Sequence, residues 1–322
     1  MMNKKTQSST FRVSVVVPVH NRPELLKQSL SSFASQDFAV DSFEVLVCDD
    51  GSTEDLRSIV EDFNGAIPNI RLLRQKPKGP AAARNLGIRE SIAPTIIFLD
   101  SDVLLDRTLI SHFVSAMDKN PEWMGAEAGI KPVGGEDNPL WDAPASDTGG
   151  RFHTAAIAYR RNVLLLAGCF DETFKFSACE DVDLAARVLR YGAIGFVPEA
   201  IVYHPRRRVT LHTHWQWRKF WRYEMILAKR YGFLSFPGHL AGPFPRVRVA
   251  LAAVVTLPAG RFIEGVKFIQ KKPFDGILAC LLALFDTFLG LWVLPIILFS
   301  RVPRRINYLS GRTDDTVQSL NP

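Results

Sequence analysis

Cysteine is scarce in this chain and scattered: Cys48, Cys169, Cys179 and Cys280 form no CxxC pair and no metal-caging spacing. A disulfide scaffold is thereby excluded, and the four thiols read as reduced and packed, as in a cytosolic compartment. The opening residues, MMNKKTQSSTF, lack the apolar core and small-residue cleavage site of a secretory signal. The bulk of the chain is therefore expected in the cytoplasm. Acidic residues are almost missing from His204 to Arg230, where eight Lys or Arg stand against the single acid Glu224. Much of the net charge of +6 is concentrated there, which points to an anionic partner. With 47% hydrophobic and 22% charged residues, neither wholesale disorder nor a collagen-like composition applies. A length of 322 residues suits one domain of roughly 200 residues plus an appendage.

The first half alternates apolar runs with helical patterns. RVSVVVPV, residues 12–19, is β-branched and too short for a useful helix, so it predicts a buried strand. NRPELLKQSLSSFASQ places Leu25, Leu26, Leu30 and Phe33 near helical spacing, with Pro23 suited to a first turn. FEVLVCDDGS, NIRLLRQ and PTIIFLDSD read as further strands, and DLRSIVEDF and AAARNLGIRES as helices. This alternation predicts a doubly wound, mostly parallel α/β sheet with function at the carboxyl ends of its strands. Asn120 to Asp171 has few clear periods and reads as irregular. CEDVDLAARVLRYG gives a helical stripe of Val182, Ala185, Ala186 and Leu189 ending at Gly192, and AIGFVPEAIVYH one or two short strands.

Beyond His204 aromatic and basic residues interleave: Trp215, Trp217, Phe220, Trp221 and Tyr223 among Arg218, Lys219, Arg222, Lys229 and Arg230. That composition suits the headgroup level of a bilayer and matches no nucleic-acid module. Ile277 to Phe299 is apolar over 23 positions apart from Asp286 and Thr287, long enough to cross a hydrocarbon core. Val249 to Ile263 reads as a second, shallow helix interrupted by Arg261. A buried helical hairpin of a soluble domain is the alternative. Basic residues on both sides of the long run leave its orientation open.

Several side chains carry candidate chemistry. Asp100 and Asp102 stand two apart after an apolar strand, so both can reach one hard cation such as Mg²⁺ or Mn²⁺. Asp49 and Asp50 end another strand, placed either to accept from a nucleotide or to cap a turn. Arg84 lies in a helix pattern near the same sheet edge and could meet phosphates through its forked donors, or be a surface arginine. Glu180 and Asp181 occupy a first helical turn, where the dipole keeps a carboxylate ionised as a base or where acids merely stabilise the helix. His204 offers a metal ligand, a phosphate contact or a satisfied core histidine.

Taken in order, VSVVVPVHNRPELLKQSLSSF, FEVLVCDDGSTED, GPAAARNLGI, IIFLDSDVLL and AYRRNVLLLAGCFDETFKFSACEDVDLAARVLRYG with VPEAIVYH resemble the family 2 glycosyltransferases, which have the GT-A fold. The resemblance covers about 200 residues. It implies inverting, single-displacement transfer from a nucleotide diphosphate sugar, with a UDP-sugar as default donor and Mg²⁺ or Mn²⁺ as cofactor. By matching motifs Pro18, Val19, Asn21, Asp49 and Asp50 would border the nucleotide, and Arg84 would approach the diphosphate or ribose. Asp100 and Asp102 would hold metal and donor, His204 would lie near the metal, Asp181 would be the general base, and Glu180 would support the acceptor site. Cys169, in GCFDE, replaces the usual second glycine. The implied partners are a saccharide or lipid-linked acceptor and membrane lipids, at the cytoplasmic membrane face, with no nucleic acid. The expected organisation is a flexible 1–11, a GT-A domain at 12–205, basic aromatic interfacial helices at 206–244, membrane-inserted hydrophobic helices at 245–300, and a polar tail at 301–322. Two alternatives remain: an inactive membrane scaffold of the same fold, and a sugar-phosphate nucleotidyltransferase. The latter should carry a glycine-rich loop after its first strand, where PVHNRPELL has no glycine.

Overall fold

The computed structural model describes residues 11–217, 220–231 and 252–299. The expectations for the tail 301–322, for nearly all of 1–11, and for 232–251 fall outside the described residues. The chain divides into two compact units, the first holding 11–131 and 144–204, the second 132–143 and the described residues from 205 onward.

In the first unit the predicted alternation appears as β1 (Val13–Val19), α1 (Pro23–Phe33), β2 (Phe43–Asp49), α2 (Arg57–Asp62), β3 (Ile70–Arg74), α3 (Pro80–Glu90) and β4 (Thr95–Leu99). It continues through β5 (Leu104–Leu105), α4 (Leu109–Lys119) and β6 (Trp123–Val133). Beyond β7 (Trp141–Asp142), which lies in the second unit, come β8 (Ala156–Arg160), α5 (Arg161–Leu166), α6 (Glu180–Val188) and β9 (Ala193–Pro205). The eight-stranded sheet runs β3-β2-β1-β4-β8-β6-β9-β5. β1 pairs in parallel with both β2 and β4, while β8 is antiparallel to β4. A strand covered on both faces must be apolar at nearly every position, and β1 is. Val13, Val15, Val17 and Val19 pack into one core layer with Phe33 and Phe113, and Val16 into the other with Leu46, Phe98 and Phe170. The helix α3 comes so close to β1 that a Cβ on Gly87 would meet Val16 Cγ1 at 2.3 Å, so only glycine fits there.

Because β1, β2 and β4 are parallel, their carboxyl ends meet on one edge and bring Asn21, Asp49, Asp50, Asp100 and Asp102 to the same end of the sheet.

Three expectations needed correction. The stretch read as irregular holds the eleven-residue β6, with β8 and α5 after it. Residues 125–130 of β6 are all buried and rich in Gly and Ala, so no polar alternation marks the strand. AIGFVPEAIVYH forms, with Pro205, one long thirteen-residue strand, β9. The helix expected to reach Gly192 stops at Val188, and Leu189, assigned to its apolar stripe, is 45% exposed.

In the second unit β7 pairs antiparallel with β10 (Arg207–Arg208), and α7 (Leu211–Trp217) and α8 (Phe220–Tyr231) follow. Tyr223 and Glu224, in the segment expected at headgroup level, are buried within the unit. A π-helical turn (252–256) leads into the helix Leu257–Ile269, and the last described helix is Pro273–Phe299. Its portion Pro273–Trp292 is long and apolar enough to cross a membrane by length and composition. Phe274, Ile277, Leu281, Leu284, Phe288 and Leu291 are each more than half exposed, at alternating spacings of three and four along one stripe. Its one mid-helix acid, Asp286, accepts from His214 Nδ1 at 2.5 Å and pairs with Arg261. That guanidinium also stacks 4.1 Å from the centre of the Trp217 ring.

Candidate active site

β1 ends in Pro18 and Val19 and hands over to Asn21, which adopts the left-handed region at φ 52°. Asn21 donates its backbone N–H to Ser52 Oγ at 2.9 Å, and its Oδ1 accepts from Thr53 N at 2.8 Å. The two loops after β1 and β2 are thus clasped together. Asp49 is fully buried, accepts from Ser52 N at 2.8 Å and sits 3.4 Å from Arg74 Nε. Asp50 accepts from Gln75 Nε2, Lys78 N and Gly79 N at 2.7–2.9 Å. Both acids therefore serve as turn-holding groups, the structural use of DDGS that the sequence left open.

At the end of β4, Asp100 is partly exposed and Asp102 buried. Asp100, Asp102 and His204, the last from β9, each offer one ligand atom within 4.8 Å of the others. The separation from His204 Nε2 to Asp102 Oδ1 is 3.7 Å. Two carboxylates and an imidazole fit a hard or borderline divalent cation, with the remaining positions open to phosphate and water.

Arg84, expected near the donor phosphates, lies only 2% exposed beneath this cluster. One guanidinium nitrogen donates to Asp100 Oδ1 at 3.0 Å, and the other to Glu180 Oε1 at 2.9 Å. It also stands 5.7 Å from the centre of the Phe170 ring. The arginine thus ties the strand-end acids to the first turn of α6. Glu180 is buried with it, and its pKa is pushed up to about 7, by burial first and by the Asp181 charge, against the pull of Arg84. Asp181, beside it, is more accessible, with a side chain 16% exposed.

The cysteine of GCFDE stands in the turn after α5. Cys169 stands in the left-handed region at φ 56°, as the replaced glycine would, and Cys179 does so at φ 68°. Arg187 donates to the carbonyls of Ala167 and Cys169 and pairs with Asp183 at 2.8 Å, fixing the turn from behind.

Sequence reasoning passed over three residues that the structure brings to this region. Arg22 donates to Asp102 Oδ2 at 3.0 Å. His153 places Nδ1 3.8 Å from Asp181 Oδ2. Glu127, from β6, is buried and holds the loop that carries His153. An acid inside the apolar MGAEAGI is a signal that could have found Glu127; His153 follows a glycine pair and has no periodic signature.

The sequence model of glycosyl transferase family 2 matches residues 14–177, roughly half of the chain. The chain belongs to glycosyl transferase family 2. The family match takes in β1 to β4 with Asp100 and Asp102, and ends before Glu180, Asp181 and His204. Over 212 residues the chain is 33% identical to the pre-mycofactocin glycosyltransferase of Mycobacterium tuberculosis, covering 61% of this chain and 43% of that one. It is much shorter than the Rickettsia glycosyltransferases that it matches at 36–39% identity, spanning 15–19% of their length. Among solved structures, the mannosyltransferase PcManGT from Pyrobaculum calidifontis, in complex with GDP-Man and Mn²⁺, aligns with a TM-score of 0.57 at 19% identity, covering 88% of each chain. S. aureus TarS 1-349 in complex with UDP aligns at 0.55 and 20% identity, covering 89% of this chain and 90% of that one. These likenesses establish the GT-A fold for this family 2 chain.

Proposed function

We propose that the protein is an inverting glycosyltransferase that moves a sugar from a nucleotide diphosphate sugar to a saccharide or lipid-linked acceptor at the cytoplasmic face of a membrane. The observation that carries this reading is the joining of two acid groups through Arg84: Asp100, with Asp102 and His204 nearby, on one side, and Glu180, next to Asp181, on the other. In a single displacement those are the two ends of the reacting system. The nucleotides in the two structural neighbours, UDP and GDP-Man, support a nucleotide sugar as donor.

In this reading Asp100, Asp102 and His204 hold Mg²⁺ or Mn²⁺. A divalent cation there supplies charge neutralisation for the departing diphosphate. Pro18, Val19 and Asn21 border the nucleotide, with the Asp49 and Asp50 turns shaping the floor beneath it. Arg84 acts from behind, holding Asp100 in place through its guanidinium hydrogen bond. Asp181 accepts the proton of the attacking hydroxyl, and Glu180 with Arg84 fixes the turn from which Asp181 projects. Attack from the face opposite the leaving group inverts the anomeric centre without an enzyme-bound sugar. Residues 12–205 would carry the donor chemistry. The apolar stripe of the helix Pro273–Phe299 and the basic residues of 206–230 would hold the chain against an anionic bilayer, each nearby Lys or Arg adding about 1 kcal/mol.

A screen of UDP-, GDP- and TDP-sugars for hydrolysis by the full chain, with Mg²⁺ or Mn²⁺ and then with a chelator, tests the reading. Release of free sugar that stops on chelation is the expected outcome. Binding without turnover of any donor, in the presence of detergent-solubilised lipid acceptors, would instead favour an inactive scaffold.

A further inference from the structure

His153 has no place in the roles given above, yet the fold goes to some length to present it. The loop before it turns through three left-handed residues, Gly149, Gly150 and Phe152, at φ 73°, 78° and 59°. For Phe152 that conformation is strained. Glu127 holds the strained loop: its two carboxylate oxygens accept the backbone N–H groups of Gly150, Arg151 and Phe152 at 2.6, 3.0 and 2.5 Å. Three amides gathered by one buried carboxylate fix the backbone immediately before His153. The imidazole is then delivered with Nδ1 3.8 Å from Asp181 Oδ2. The other Asp181 oxygen, Oδ1, accepts the Val182 N–H at 2.8 Å, which holds that side of the carboxylate and leaves Oδ2 facing the imidazole. His153 is 35% exposed at its side chain and reaches solvent as well as Asp181.

We propose that His153 is a positioning residue and proton relay for Asp181, orienting the carboxylate and passing to solvent the proton that Asp181 takes from the acceptor hydroxyl. The inference rests on the reading of Asp181 as the base. The acceptor O–H bond breaks as its oxygen bonds the anomeric carbon, and the bond to the diphosphate breaks with its electron pair on the leaving oxygen. The proton goes to Asp181, then to His153 Nδ1 once the 3.8 Å separation closes to hydrogen-bond distance, and the imidazolium loses a proton from Nε2 to water. A carboxylic acid left beside buried Glu180 would otherwise have to discharge directly.

The groups facing His153 are Asp181, Glu127 and Arg151. Burial lowers its pKa, but the adjacent Asp181 carboxylate, with help from Glu127, outweighs that and the repulsion of Arg151, and the net shift is upward from 6.5. Only the neutral imidazole can receive the proton. Turnover should therefore rise with pH along a limb set by His153.

The test is hydrolysis of UDP-GlcNAc and GDP-mannose by the full-length protein with Mn²⁺, from pH about 5.5 to 9, the range over which a histidine limb is read, for wild type, His153→Gln, His153→Ala and Asp181→Asn. UDP and GDP binding by calorimetry serves as the control. His153→Gln should lower kcat by roughly 10-fold or more, abolish the acid limb and leave nucleotide binding within about twofold. Added imidazole should restore part of the activity of His153→Ala, which a merely structural defect would not allow. An unchanged limb and kcat in His153→Gln, with Asp181→Asn inactive, would overturn the relay while leaving the base intact. Full activity in Asp181→Asn would overturn the base reading itself, and the relay with it.

Discussion

Arg84 and Glu180 form an ion pair of 2.9 Å in which both side chains are 2% exposed. Ninety-six residues separate them in sequence, so the pair joins α3 to α6 across the first unit. Removing one partner of such a pair strands the other in a low dielectric, typically at a cost of about 3–5 kcal/mol. Glu180 can take up a proton when Arg84 is lost, because its pKa already lies near 7, so the lower end applies. Arg84→Ala should therefore destabilise the protein by about 3 kcal/mol in denaturant melts as well as impairing turnover. A full-stability variant with a weakened donor Kd alone would make Arg84 a phosphate contact instead.

The same carboxylate gives a pH signature. The fold raises Glu180 from 4.5 to about 7, so its contribution to stability is full below 4.5 and is lost as pH rises through about 7. Glu180→Gln should flatten the fall of Tm across that window. Identical slopes in wild type and variant would mean that Glu180 does not titrate there.

Asp102→Asn is expected to remove metal-dependent donor binding with little change in Tm, since it trades a ligand for an isostere and leaves core volume intact. Titration calorimetry with Mn²⁺ and a nucleoside diphosphate reads this directly, and undiminished metal-dependent binding would contradict the ligand assignment.

Asp181→Asn should keep donor affinity near normal while transfer drops by roughly 10²-fold or more, the scale for losing a general base. Equal losses in donor binding and transfer would make Asp181 a donor ligand or a structural acid.

The exposed stripe on the helix Pro273–Phe299 predicts its own partner. Leu284→Lys combined with Phe288→Lys places two charges on that face, each costing about 2.5–3.5 kcal/mol at bilayer depth. Sedimentation with phosphatidylglycerol vesicles should show the variant in the supernatant and the wild type in the pellet. Wild-type protein that stays soluble without detergent would show that the stripe meets something other than lipid.

How much of this was legible beforehand follows from the physics of each segment. β1, β2 and β4 announced themselves because parallel strands covered on both faces leave unbroken runs such as VSVVVPV and FEVLVCD. The edge that gathers Asp49, Asp100 and Asp102 followed from that alternation alone. β6 stayed hidden because Gly125, Ala126, Ala128 and Gly129 are too small to mark a strand, their size being set by neighbours such as Tyr159, which a Cβ on Gly125 would meet at 2.6 Å. The burial of Arg84 was equally invisible: its two carboxylate partners lie 16 and 96 positions away. His153 depends on Glu127 and on a strained loop, and neither has a period. The excursion of residues 132–143 into the second unit is held by the short β7–β10 pairing, by Leu140 against Ala279 and Leu282 and by the Lys272–Glu136 ion pair, scattered contacts that leave no sequence period.

The Arg261–Asp286 pair bears on how the C-terminal helices come to be assembled. Residues 270–272 alone separate the helix that supplies the guanidinium from the helix that supplies the carboxylate. Two opposite charges on adjacent arms of a hairpin find each other by local closure, far sooner than they meet anything distant in sequence. The acid that interrupts the apolar run therefore travels as half of a dipole from the moment the hairpin folds. On the proposed reading that these helices enter a bilayer, they would do so as one two-helix step, and splitting the hairpin with a long, flexible linker after Ile269 should slow that step even though every residue of both helices is kept.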